Sequence, residues 1–170
     1  MIRKSRILTC TAIFVILALC LCSCEKKSDG VTIDGKSLEM PCKISSLGGK
    51  FEYAPDIYFE NMLGESNQSK VMLTYNGNEF GLAQVDTADE NKLSDADISA
   101  LVTTSQSSVG DLKIYGIGYG STRSDVLSAL DGKTDDKEGA LKFYDNGYKI
   151  VLFFDTEDKV SIISVSCENK

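Results

Sequence analysis

The chain contains no histidine, no tryptophan and only two prolines in 170 residues. Without histidine, the usual base of Ser–His and Cys–His hydrolysis is missing. A Ser–Lys alternative has no Ser-x-x-Lys tetrad beyond residue 23. Positive charge is in the minority, with 18 Lys and Arg against 25 Asp and Glu, a net charge of −7. Nucleic-acid binding rests on cation contacts to phosphate, so such a surface suits it poorly. Soft metal ligands are scarce, which argues against zinc. The acidic stretches 86–97, 131–138 and 155–158 lack the spaced Asp/Asn pattern with a central glycine that a calcium loop needs. Lys92, Lys133, Lys137 and Lys159 lie among them, so they read as solvated loops. These absences predict no metal, no cofactor and no catalysis.

What is present at the N-terminus is an address. Arg3, Lys4 and Arg6 precede an apolar run from Ile7 to Leu21, and Leu21-Cys22-Ser23-Cys24 follows. A basic start, an apolar segment and a small residue before a cut form a secretory signal. The run falls short of the roughly 20 residues that span a bilayer comfortably. A leucine three residues before the cysteine and a serine one before it resemble the lipobox of bacterial lipoproteins. That resemblance implies cleavage before Cys24 and a covalent diacylglycerol lipid on Cys24, the one non-protein group expected. One acyl chain binds a membrane marginally, whereas two or three hold firmly. Removing residues 1–23 takes away three basic residues and no acidic one, leaving 15 against 25 and a net charge of −10. Cys42 and Cys167 are then the remaining unmodified cysteines. They are a disulfide candidate in a compartment that permits one, with two separate buried thiols as the alternative.

Residues 24–30 read as a lipidated tether. Asp34-Gly35 and Asn76-Gly77, each between short apolar-patterned runs, predict hairpins. Cys42 to Leu47 predicts a helical turn or two ended by Gly48-Gly49. Phe51 to Leu63 predicts a strand, then an irregular or briefly helical segment. Residues 64–70 predict a loop, 98–104 a strand, and 112–117 an extended segment. Thr122 and Asp125 form a capping-box pattern ahead of a helix with apolar face Val126, Leu127 and Leu130, ended at Gly132. Three strands follow, at 140–144, 148–154 and 160–167. The middle one is apolar on both faces, which predicts a central strand covered on both sides. The expected class is α+β, with antiparallel sheets and short helices. Its two halves, 31–110 and 111–170, are similar in element order. A diverged duplication of α-β3 halves sharing one core is one reading, although the period is not regular enough to establish it.

The segment from Ile117 to Leu130, with Gly120, Thr122, Val126 and Leu130, followed by the meander, resembles the BamE (SmpA/OmlA) lipoprotein fold and is similar to beta-lactamase-inhibitor-protein-like domains. The resemblance covers residues 117–166. It departs where Leu130 is followed by Asp131-Gly132-Lys133 instead of Leu-Gly-x-Pro. The first half looks like uncharacterised lipoproteins of Gram-positive gut bacteria. Barrel assembly, the BamE role, requires an outer membrane and does not transfer with a fold.

Two functions fit. One is a non-catalytic binding or scaffold module that holds another envelope protein by a sheet face or by loops. The other is a solute- or glycan-binding lipoprotein with a small pocket of convergent tyrosines. Tyr115 and Tyr119, near a glycine-rich bend, are the partner-binding candidates. The expected location is the outer face of the cell membrane, more in keeping with a Gram-positive envelope than with a periplasm.

Overall fold

Three Asx-Gly pairs set the hairpins. Asp34, Asn76 and Asn146 adopt φ of 48°, 50° and 49°, and the glycines after them 74°, 75° and 81°. Positive φ at both central positions defines the type I′ turn, whose twist matches that of the flanking strands. The computed structural model describes residues 30–54, 60–61, 68–103, 111–131, 134–137 and 139–168. Within them lie β1 (Val31–Ile33), β2 (Lys36–Ser37), α1 (Ile44–Leu47), β3 (Phe51–Tyr53), β4 (Glu60–Asn61), β5 (Ser69–Tyr75) and β6 (Asn78–Val85). A 3-10 turn (Glu90–Asp95), β7 (Ile98–Thr103), β8 (Lys113–Ile114), α2 (Arg123–Leu130), β9 (Asp135–Lys137), β10 (Ala140–Asp145), β11 (Tyr148–Phe154) and β12 (Val160–Cys167) follow.

The fold is α+β. The main sheet is antiparallel, in the order β3-β5-β6-β7-β12-β11-β10-β9, with β4 also paired to β5. A small sheet, β2-β1-β8, joins the start of the first half to the start of the second. Both junctions are antiparallel pairs: β7 with β12 through Leu101↔Val165, and β1 with β8 through Val31↔Ile114. The two halves therefore form one joined fold. Each half runs from a helix through four strand positions, so the strand order mirrors itself about the β7–β12 seam. The residues just before the helices match as well. Cys42 bridges Ile98 at the start of β7, and Thr122 bridges Lys159 at the start of β12.

One face of the main sheet is buried. Val71, Leu73, Ala83, Leu101, Val165, Ile163, Ile150, Leu152 and Leu141 belong to one cluster with Ile33, Leu47, Ile114, Val126 and Leu130 from the small sheet and helices. Fully burying each of the Val, Leu and Ile side chains among them contributes about 1.5–3 kcal/mol. Gly81 has a steric reason, because a Cβ there would lie 2.1 Å from the Val102 carbonyl oxygen.

Polar contacts fasten the N-terminal segment across the seam. Tyr148 Oη accepts from the Met40 N–H at 2.9 Å and donates to the Leu38 carbonyl at 3.4 Å. Tyr75 Oη donates to Asp34 at 2.8 Å, which holds that carboxyl below the usual range. At α2, Thr122 Oγ1 accepts the Asp125 N–H at 3.2 Å and Asp125 accepts the Thr122 N–H at 3.3 Å, the expected capping box.

Several expectations are corrected. Ser69 and Lys70 are strand rather than loop, paired with Val85 and Gln84. Glu60 and Asn61 are strand, held by the same edge of β5. The segment 112–117 is not extended. Tyr115 (φ 54°) and Gly116 (φ 83°) fold it into a turn that brings Ile114 against Ile117. Asp135–Lys137, expected as acidic loop, pairs with β10. On α2, Val126 and Leu130 are buried, but Leu127 is 37% exposed. The helix ends at Leu130 with Asp131 left-handed, and Gly132 lies outside the described residues. The largest correction concerns β11, which among the described residues is covered on one side only, with Lys149 and Phe153 exposed on the other.

Candidate binding face

Strand register shows which side chains share the uncovered face. Met72↔Leu82, Leu82↔Val102, Val102↔Ser164, Ser164↔Val151 and Val151↔Lys142 make one row across five seams. Beside it run Lys70, Gln84, Ala100, Ser166, Lys149 and Tyr144. On the other side, Ile162 faces Phe153, which faces Ala140. Met72, Leu82, Val102, Val151 and Ile162 are partly exposed. Phe153 is 40% exposed and Tyr144 52%.

The electrostatics of this face differ from those of the chain. Over β7, β12, β11 and β10 its charged side chains are Lys142 and Lys149, with no carboxylate among the described residues. The Lys142 ammonium sits 5.0 Å from the Tyr144 ring centroid, a cation–π contact that orients the ring on the surface. At the seam, Ala100, Ser164 and Ser166 are small, and larger side chains flank them on both sides. The face is thus a broad surface, apolar in the middle and lysine-flanked, of a kind that marks interaction sites.

The two tyrosines expected to meet a partner separate. Tyr115 is half-buried against the core, and its Oη donates to Asp145. Its N–H donates to the Gly30 carbonyl at 3.0 Å, so it anchors a turn. Tyr119 is 50% exposed. It lies three residues before the Thr122 cap of α2 and is not in the strand pairs that make up the row above. Sequence reasoning missed Val151 and Phe153, although the doubly apolar pattern of residues 148–154 was their signal, and it missed Tyr144, which lies outside that pattern.

The disulfide expected between Cys42 and Cys167 is not formed in the structure. Both are free thiols, half-buried against the core. Burial pushes both thiols above their ordinary value, which keeps them protonated. Cys24 and the lipobox lie outside the described residues. Among the described residues no cluster of three or more His, Cys, Asp or Glu could hold a metal, and no helix is long and apolar enough to cross a membrane. An open cavity of about 440 Å³ is lined by Ser37, Glu39, Cys42, Lys43 and Asp97 among others, with no tyrosine. A second, of about 190 Å³, has Tyr148 as its single tyrosine. Neither is a pocket of convergent tyrosines.

No protein family, no curated protein and no solved structure matches the chain.

Proposed function

We propose that the protein is a membrane-anchored, extracytoplasmic, non-catalytic module that holds another envelope protein on the open face of its main sheet. The carrying observation is the row Met72, Leu82, Val102 and Val151, partly exposed and bordered by Phe153, Tyr144 and lysines. Apolar side chains kept at a surface without cover gain free energy when a partner removes them from water. Exposed Lys149 favours a partner that brings a carboxylate to the rim. The anchor in this reading is lipid on Cys24, which orients the module toward the outside of the membrane. The mirrored halves are diverged copies of one α-plus-strands unit, and the open face spans both. Among the described residues, neither of the two cavities above gathers tyrosines, which gives the pocket reading no support there.

Two variants test the reading separately. Cys24→Ala should abolish incorporation of a clickable fatty acid in cells. Label that persists would assign the lipid to another cysteine. Phe153→Glu should leave the unfolding midpoint nearly unchanged and remove the crosslinked adduct formed by the wild-type chain. An adduct of undiminished yield would show that the partner docks elsewhere.

A further inference from the structure

We propose that Cys42 and Cys167 are a redox-linked pair that closes into a disulfide across the seam between the two halves. The proposal does not rest on the binding reading. Cys42 and Ile98 exchange both backbone hydrogen bonds, at 3.1 and 2.8 Å, so Cys42 occupies an edge position beside the start of β7. Ile98 pairs with Val85 of β6 on its other side, which puts Cys42 on the edge that β12 uses. β12 runs along that same edge through Val165↔Leu101 and Ser166↔Ala100, and Cys167 is the next residue. The two cysteines therefore succeed one another along β7. A separation of one to two residue rises, about 3.4–7 Å, overlaps the roughly 4.4–6.8 Å between Cα atoms that a disulfide spans.

The side chains also face the same way. Register between β6 and β7 shifts at Val85, where Val85 pairs Ile98 and Gln84 pairs Ala100, leaving Ser99 as an extra residue. That extra residue restores the parity, so Ile98 and Leu101 both point into the core. Cys167, two residues from inward Val165, and Cys42, opposite inward Ile98, both pack on that core. Charge on Cys167 also raises the Cys42 thiol, after burial and Asp97, as proximity requires.

Cys42 lines the open cavity of about 440 Å³, which gives a small oxidant a path to the pair. The step needs a low-molecular-weight disulfide. The Cys42 thiolate attacks one of its sulfurs, and the oxidant's S–S bond breaks and releases one thiolate. The Cys167 thiolate then attacks the Cys42 sulfur and expels the second. Two protein thiols are oxidised to one disulfide, the oxidant is reduced to two thiols, and the two protons go to those products. Closure thus quickens as pH rises and more thiolate forms.

The test treats the folded full-length chain with oxidised glutathione and maps tryptic peptides without reduction. The expected product links the peptide Ser37–Lys43 to the peptide Val160–Lys170, lighter by two hydrogens than the reduced pair. Its yield should rise with pH, and oxidation should raise the unfolding midpoint of the wild type but not of Cys42→Ala. Stable glutathione adducts on both cysteines without the link, or a link formed only in denaturant, would overturn the proposal. So would a link from either residue to a cysteine at 10, 20, 22 or 24.

Discussion

Neighbouring residues of one strand, Val151 and Leu152, belong to the same side-chain class and meet opposite fates. Leu152 is fully buried, with Ile150 and Leu141 beside it. Val151 is partly exposed, and Phe153 stays 40% exposed. Across the sheet the contrast repeats as Val71 and Leu73 against Met72, and as Ala83 against Leu82. The inner face holds the fold together through cover by two short helices and a small sheet. The outer face keeps similar side chains uncovered. Apolar character therefore does not by itself mark core; here it marks core on one side and a partly exposed face on the other.

Substitution on the two sides of β11 breaks this comparison most strongly. Leu152→Ala should cost about 2–5 kcal/mol, because the packed core cannot collapse onto the space left. Val151→Ala, one residue away, should cost about 1 kcal/mol or less. Urea titrations of both, with equal slopes, check the difference. Comparable losses would mean that the outer face is also packed in the folded chain.

A tyrosine that packs on the core sharpens it further. Tyr53 Oη is buried and has no hydrogen-bond partner among the described residues. Burial is the first cause that pushes its hydroxyl up to about 12, with nearby Cys42 and Asp86 adding to it. The native state holds this proton where the unfolded chain, near 10, has lost it. The stability it contributes is full below about pH 10 and is lost as pH rises through about 12. After discounting for partial exposure, that loss is about 1–2 kcal/mol. Tyr53→Phe should flatten the alkaline fall and keep or raise stability at neutral pH, since it removes an unpaired buried hydroxyl. Unfolding midpoints of the wild type and Tyr53→Phe, measured between pH 8 and pH 12, check this.

A smaller effect lies in the cover of the inner face. Thr122→Ala removes one half of the capping box on α2 and should cost about 1 kcal/mol. The denaturant midpoint should fall with no change in slope. α1, whose Lys43 N-cap makes no side-chain cap bond, has no such contact to lose.

Local chemistry carried most of what the sequence made legible. Asp34-Gly35 and Asn76-Gly77 announced their hairpins, because few other residue pairs accept two successive positive φ values. Thr122 and Asp125 announced a helix start, because both partners of the cap lie within one turn. Partners distant in sequence were not legible. Nothing in Ser164 or Ser166 declares a pairing with Val102 and Ala100, so the seam that joins the halves was seen only in the fold. β4 and β9 are short and polar and exist because a strand edge was there to receive them. Tyr115 accepts a left-handed turn that its residue type does not favour, held by bonds to Gly30 and Asp145. The candidate face was visible in residues 148–154 as a doubly apolar strand. Its exposure was not foreseen because pattern alone cannot tell a strand face under a second covering layer from one open to solvent.

The central claim is that the outer face of the main sheet meets another envelope protein. A photo-crosslinking amino acid placed singly at Leu82, Val151 and Phe153 tests it in cells, with Leu127 on the exposed side of α2 as the control position. The account predicts one common adduct from the three sheet positions, weakened when Lys149 is changed to Glu, and none of that adduct from position 127. Equal yield of the adduct from all four positions, or its appearance at 127 alone, would contradict it.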